Sequence, residues 1–268
     1  DSELRSLALI RLAILERHAG RLQDALARLI EATKVMEKSG PWAVCRCHLE
    51  LASTYKDLAI SEDAAPYFNG AKDYYLRALH EFAAVGNHRY VAIAENNIGF
   101  LLLTIGSYGE AEDHLLRSRS LFEAFDDLVR AAQVNETLAR LYIATEQFVA
   151  GQNAIELAVR TLELTDGEAL LAEALTTRGL VNSKRGHQNE AKKNFEAAYR
   201  VAERCGDHEG AGRAVLVMIE EMGDRVDDVE RKQISSQLKK LLSVTQQAGV
   251  RARIEKALAV IQTQNTRT

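Results

Sequence analysis

Small and large apolar positions recur along this chain at one fixed interval. Ala71, Ala111, Gly151 and Ala191 stand 40 residues apart, each near the start of a helical pattern. Four positions on come Tyr75, Leu115, Ile155 and Phe195, and three after those Ala78, Ser118, Ala158 and Ala198. This i, i+4, i+7 spacing puts all three sets on one helix face. Upstream, Gly99, Ala139 and Gly179 keep the same interval, preceded by Ile98, Leu138 and Arg178. Polar turns share it: Gly86-Asn87, Asp126-Asp127, Asp166-Gly167 and Gly206-Asp207. Gly20, Gly106 and Gly186 each follow a small residue by seven positions, where a helix must end; only Glu146 departs from that rule. Two antiparallel helices approach closely only where the crossing side chains are small. One such pair cannot bury its own apolar face, so the period predicts stacked helix pairs.

The pattern places pairs at about 1–39, 41–86, 87–126, 127–166 and 167–206. A sixth pair follows over 207–247, with its second helix near 226–247, and a last helix over 250–263. The sixth pair has Ile219 and Arg231 where small residues are due, as a cap would. The stripe of Leu238, Leu241, Leu242, Ile254 and Leu258 is expected to cover the end of the stack; self-association into a homo-oligomer is its other reading. Between Ala52 and Ala71 lie seven more residues than the 12-residue spacing of the other repeats. They fall at 59–66, around Pro66, and read as a turn extension: a surface loop, or a lip over a binding surface. The opening Asp1-Ser2-Glu3 and the polar tail Gln262–Thr268 read as the ends of a fragment of a larger protein.

These residues resemble the tetratricopeptide repeat. Its first helix carries a large residue, then Gly or Ala, then an aromatic; its second carries Ala, a large apolar residue and Ala. Here the first-helix positions read Leu51-Ala52 with Tyr55, Ile98-Gly99 with Leu102, Leu138-Ala139 with Tyr142, and Arg178-Gly179 with Asn182. An earlier repeat shows Leu12-Ala13, Ala25, Leu29 and Ala32. The period of 40 is longer than the family's usual 34, and the terminal Pro is missing. That form is similar to the repeats of kinesin light chains, cell-polarity scaffolds and bacterial ligand-sensing regulators. The resemblance implies an all-α fold, a right-handed α-solenoid of five to six helix pairs plus a C-terminal helix, forming a single domain over 1–268.

It also implies that first helices line an inner wall. That wall would hold Glu50, Ser53 and Asp57; Asn96, Asn97, Phe100 and Thr104; Glu136, Thr137 and Arg140; and Thr176, Thr177 and Lys184. Polar groups there can hydrogen-bond a peptide, with Phe100 as an apolar anchor. Asn96-Asn97 is similar to the asparagines with which long-period relatives hold extended peptides. The slots of the family's chaperone-tail clamp hold Leu49, Ser53, Asn97, Gln133 and Thr137, without the basic members, so chaperone tails are not expected.

Composition narrows the function. Pro41 and Pro66 are the only prolines, and 47% hydrophobic with 27% charged residues describes a helical chain with a well-filled core. A formal charge of −4 gives no reason to expect direct nucleic-acid binding, and no apolar run approaches the roughly 20 residues a membrane span needs. Three cysteines fit a reducing, cytoplasmic setting. Cys45, Cys47 and His48 are adjacent, but a helix turns positions 45 and 47 to opposite sides, so no metal and no cofactor is expected. No phosphate loop, nucleophile elbow or His-Glu-x-x-His motif is present; His80-Glu81 and His208-Glu209 lack the second His. Glu220-Glu221 and Asp227-Asp228 read as solvated carboxylates. The chain is expected to be a non-enzymatic scaffold for a protein or peptide, which could be another domain of its own chain. It would serve as a regulatory or sensory module in a bacterial signalling or transcription regulator. The other expectation is a sensor for a small molecule or short peptide, held in a partly apolar pocket around Phe100.

Overall fold

The computed structural model describes residues 2–36, 39–62, 64–223, 228–245 and 248–265. Asp63 of the insertion, Asp227 of the carboxylate pair and 266–268 of the polar tail lie outside them. Among the described residues there are thirteen α-helices and no strand. The chain divides into two compact units, Asp1–Asp127 and Leu128–Thr268, at the boundary between two repeats.

The N-terminal unit contains α1 (Ser2–His18), α2 (Leu22–Val35), α3 (Pro41–Glu62), α4 (Ala65–Ala84), α5 (His88–Thr104) and α6 (Tyr108–Ala124). The C-terminal unit contains α7 (Leu128–Ala144), α8 (Phe148–Glu163), α9 (Glu168–Lys184), α10 (Gln188–Arg204), α11 (His208–Met222), α12 (Asp228–Val244) and α13 (Ala248–Asn265). From α5 onward the first helices begin at 88, 128, 168 and 208 and the second at 108, 148, 188 and 228, each set 40 apart. Within each unit the first helices pack on one another: α1 on α3 and α3 on α5, then α7 on α9, α9 on α11 and α11 on α13. Within a unit a second helix wedges between its own first helix and the next, as α2 does with α1 and α3, α4 with α3 and α5, and α8 with α7 and α9.

The small-residue positions are the points of closest approach. Ala25, Ala71, Ala111, Ala139 and Ala191 are fully buried. A Cβ on Gly99 would come within 2.6 Å of Leu115 Cγ, and one on Gly179 within 2.6 Å of Phe195 Cε1. Tyr75, Leu115, Ile155 and Phe195, the large partners in the period, are buried beneath.

The turns share one geometry. Gly20, Gly86, Gly106, Gly186 and Gly206 have φ between 70° and 81°. After each, the next amide donates to the carbonyl five residues back, as Ser107 does to Leu102 and His187 to Asn182, both at 2.9 Å. Glu146 departs only in identity: it takes φ 58°, and Gln147 N donates to Tyr142 O at 2.7 Å. Asp126 does the same at φ 55°.

One expectation changes. Among the described residues the insertion extends helices in place of a surface loop or lip: α3 has 22 and α4 20 residues, against 17 in α5 and α6. Pro66 sits in the first turn of α4, where its missing N–H has no helical role. Tyr55 stacks on Tyr74 with ring centroids 5.6 Å apart and meets Tyr67 at 6.0 Å, so the added turns have their own packing. The C-terminal stripe is core: Leu238, Leu241, Ile254 and Leu258 are buried with Val215, Leu216 and Met218, and Leu242 packs against them. Those side chains cap the stack and are not available for self-association. Gly212 gives α11 its close approach, to Val250 and Ile254 of α13.

The same substitution should therefore have opposite effects at two glycines of the C-terminal unit. Gly179→Ala drives a methyl into the buried Phe195 ring and should lower stability by about 1–3 kcal/mol. Gly151→Ala meets nothing nearer than 3.5 Å and should raise it by up to about 1 kcal/mol through helix propensity. Urea midpoints of the two variants check this; equal shifts would contradict it.

Candidate functional site

The expected wall residues fall on the first helices, seven in the N-terminal unit and six in the C-terminal unit, and the two groups are used differently. In the N-terminal unit Glu50 and Asp57 enter an ionic network. Arg17 of α1 donates to Asp57 at 3.0 Å and to Glu50 at 3.3 Å, both on α3. Arg46 reaches the other oxygen of Glu50 at 2.9 Å, and Lys56 reaches the other oxygen of Asp57 at 3.2 Å. Ser53 and the buried Tyr75 hydroxyl are 3.2 Å apart. Lys56 Nζ stands 5.3 Å over the Phe100 ring, an electrostatic attraction to its π face. Asn96 and Asn97 are half-buried on α5, and Asn96 Oδ1 is buried without a hydrogen bond. The Thr104 hydroxyl donates to Phe100 O at 2.9 Å in its own helix. Arg17 and Lys56 tie this wall together, and neither belonged to the expected set.

The adjacent thiols have ordinary structural roles. Cys45 and Cys47 are buried, Cys47 Sγ lies 3.9 Å from Leu29 O, and burial, with Glu50 and Glu81 nearby, pushes the Cys47 thiol up to about 12. His48 Nδ1 is 2.8 Å from the Glu81 carboxylate. His18, His88 and His187 are exposed at turns, as expected.

In the C-terminal unit the wall opens into a pocket of about 190 Å³. Of the expected residues Glu136, Arg140, Thr176 and Thr177 line it, joined by Glu173, Leu180, Gly210, Arg213, Val217 and Arg253. Lys184 lies outside, bound to Glu221 at 2.8 Å, while the Thr137 hydroxyl bonds Gln133 O at 3.2 Å. Three guanidiniums face two carboxylates. Arg253 also pairs with Glu220 at 2.7 Å on the exposed surface, and Arg213 stands 3.9 Å from Asp207, beyond hydrogen-bond length.

The missed residues follow from the period. Glu173, Arg213 and Arg253 are 40 apart, as are Arg140 and Leu180, Glu136 and Thr176, and Thr177 and Val217. Carrying the interval past the fifth repeat from Thr177 would have found Val217, whereas Arg213 and Arg253 follow only from Glu173, which was outside the expected wall. The cap position of α11 obscured Val217.

Glu136 is the most perturbed group there. It is buried, and desolvation pushes its carboxyl from an ordinary 4.5 up to about 7. Arg140 opposes the shift, Glu173 adds to it, and Thr177, donating at 2.5 Å, opposes it together with Arg213. Below the ordinary value Glu136 is protonated whether folded or unfolded, and no penalty arises. As pH rises, the unfolded chain ionises first and the folded state loses stability until about pH 7. Glu136→Gln removes that loss. It should be more stable than the parent chain at pH 8, on the order of a few kcal/mol, with the gap closing by about pH 4. Thermal melts at the two pH values check it; a constant gap would contradict the assignment.

No family model and no curated protein matches the sequence. Solved structures match the fold. NprR in complex with its cognate peptide NprX superposes with a TM-score of 0.67 at 14% identity, over all of this chain and 73% of that one. Apo RapI gives 0.67 at 14% identity, over 98% of this chain and 77% of the other. BtubC from P. vanneervenii gives 0.60 at 21% identity, over 73% and 78%. At such identities the likeness speaks for architecture alone, and that architecture, with the helix pairs and the 40-residue interval, is the tetratricopeptide-type α-solenoid.

Proposed function

We propose that the chain is a non-catalytic scaffold that binds a peptide or an extended protein segment on its first-helix layers. The observation that carries this reading is the pocket of the C-terminal unit. It opens on that layer and offers cationic, anionic, hydroxyl and apolar groups at once, the mixture that recognises a short polypeptide stretch. The N-terminal unit adds the half-buried Asn96 and Asn97, with the side-chain oxygen of Asn96 still lacking a donor. An extended peptide offers backbone N–H groups of the kind that oxygen needs. The similarity to NprR, whose structure holds its cognate peptide, supports the same reading. Catalysis has no comparable support, since the sequence carries no phosphate loop, nucleophile elbow or His-Glu-x-x-His motif.

In the finer form, the solenoid is the sensory or regulatory part of a larger bacterial signalling or transcription regulator in the cytoplasm. It would hold back an output domain until its ligand binds. Among the described residues no helix is long and apolar enough to cross a membrane. A second reading, a sensor for a small molecule, is favoured by the pocket's size. About 190 Å³ is less than the roughly 300–1,000 Å³ of common drug-sized ligand sites, so a small ligand would fill it.

Selection from a random peptide display library, followed by calorimetry on the enriched peptides, tests the proposal. Enriched peptides should bind the chain and lose about tenfold or more in affinity in Asn96→Ala/Asn97→Ala or in Arg140→Gln. Absence of enrichment, or equal binding by both variants, would rule it out.

A further inference from the structure

The pocket of the C-terminal unit has a more particular chemistry. Its guanidiniums come from three helices, Arg140 on α7, Arg213 on α11 and Arg253 on α13. The lining thus carries one positive charge in excess with both carboxylates ionised, and two with one of them neutral. A guanidinium presents a planar fork of donors that fits a carboxylate with two parallel hydrogen bonds. The present partners of two of them are exchangeable. Arg253 and Glu220 form an exposed pair, a class that contributes little to stability, and Arg213 is too far from Asp207 to hydrogen-bond it.

The other lining groups limit what can enter. Glu136 and Glu173 would repel a dianion such as a phosphate monoester more than a monoanion. Leu180 and Val217 supply an apolar wall, and the volume leaves room for a short aliphatic stem but not for a nucleotide. The hydroxyl of Thr177 donates to Glu136, which keeps that carboxyl fixed at the pocket wall.

We propose that this pocket is a carboxylate site, taking a short aliphatic acid group between Arg140, Arg213 and Arg253. The group comes either from the C-terminal residue of a bound peptide, in which case the inference rests on the peptide-binding reading, or from a free acid of that size. The raised Glu136 carboxyl gives the site a pH dependence of defined sign. The groups facing it are Arg140 from its own helix, Glu173 from α9, Arg213 from α11 and Arg253 from α13. When the pH falls from 8 to 6, Glu136 takes up a proton and stops repelling the incoming carboxylate, and affinity rises.

Two probes test the proposal on the intact chain, at pH 6 and pH 8. One is 4-methylpentanoate, followed by saturation-transfer NMR. The other is a library-selected peptide prepared as the free C-terminal acid and as the amide, followed by calorimetry. The acid probe should bind about fivefold or more tightly at pH 6 than at pH 8, and Arg140→Gln or Arg213→Gln should weaken it by a similar factor. Glu136→Gln should bind at pH 8 as tightly as the parent chain does at pH 6, a gain that misfolding cannot produce. A peptide that loses affinity on amidation identifies the peptide terminus as the source. Binding of 4-methylpentanoate without any peptide binder identifies a free acid; it removes the peptide reading and leaves the carboxylate site standing. Peptides that bind equally to the parent, Arg140→Gln and Arg213→Gln chains, with no response to 4-methylpentanoate, would overturn the site. In that case Asn96→Ala/Asn97→Ala alone decides whether the peptide reading survives.

Discussion

The close approach of each first helix to its second helix sets the terms for the rest of the molecule. Where Gly179 lies against the Phe195 ring there is no space for a methyl group, and Gly99 stands in the same relation to Leu115. Such contacts fix where along its length each helix crosses its partner, and hence which residues face the next pair. Thr177 lies two positions before Gly179, and Glu136 three before Ala139. Both therefore emerge on the layer that first helices share, which is why they meet at 2.5 Å although they belong to successive repeats. Function at this layer is a by-product of the rule that packs the core.

The two units handle polar groups on that layer in contrasting ways. In the N-terminal unit, Arg17 is shared by Glu50 and Asp57, which Arg46 and Lys56 complete from the other side. Charges partnered on all sides hold a wall in place, and breaking one would strand the rest in poorly solvated surroundings. In the C-terminal unit three arginines line a cavity. Arg213 stands 3.9 Å from Asp207, beyond hydrogen-bond length, and Glu136 is buried deeply enough that its carboxyl holds a proton near neutrality. A wall of the first kind supports structure, while one of the second kind has the chemistry of the ligand site proposed above.

Repeat, turns and cap were legible because each rests on local sterics. Small residues mark crossings, glycine marks left-handed turns, and an amphipathic stripe marks the stack's end. Glu146 shows the limit of that logic. The backbone conformation was required by the helix end, and the residue filling it adopted φ 58° regardless. The insertion around Pro66 was misread for a related reason. Proline punctuates loops, yet it also starts helices, and only the Tyr55, Tyr67 and Tyr74 contacts decide between the two. Of the wall residues, position on the layer could be read from the period, but the partners could not. Whether a threonine hydroxyl turns back to its own helix, as in Thr104, or across to a carboxylate, as in Thr177, depends on packing that no interval encodes.

A buried carboxyl that resists ionisation lowers the stability of the fold at and above neutral pH, and a glutamine there would avoid that loss. The neighbouring cations do not cancel it: Arg140 and Arg213 both pull the carboxyl back toward its ionised form, and desolvation still prevails. Groups whose protonation is displaced by burial and specific neighbours concentrate where proteins bind or react. In a solenoid whose stability is a sum over many equivalent interfaces, one interface can carry such a defect without threatening the stack. The C-terminal unit carries it where three arginines converge, so the same carboxyl that weakens the fold also controls the charge of the pocket it lines.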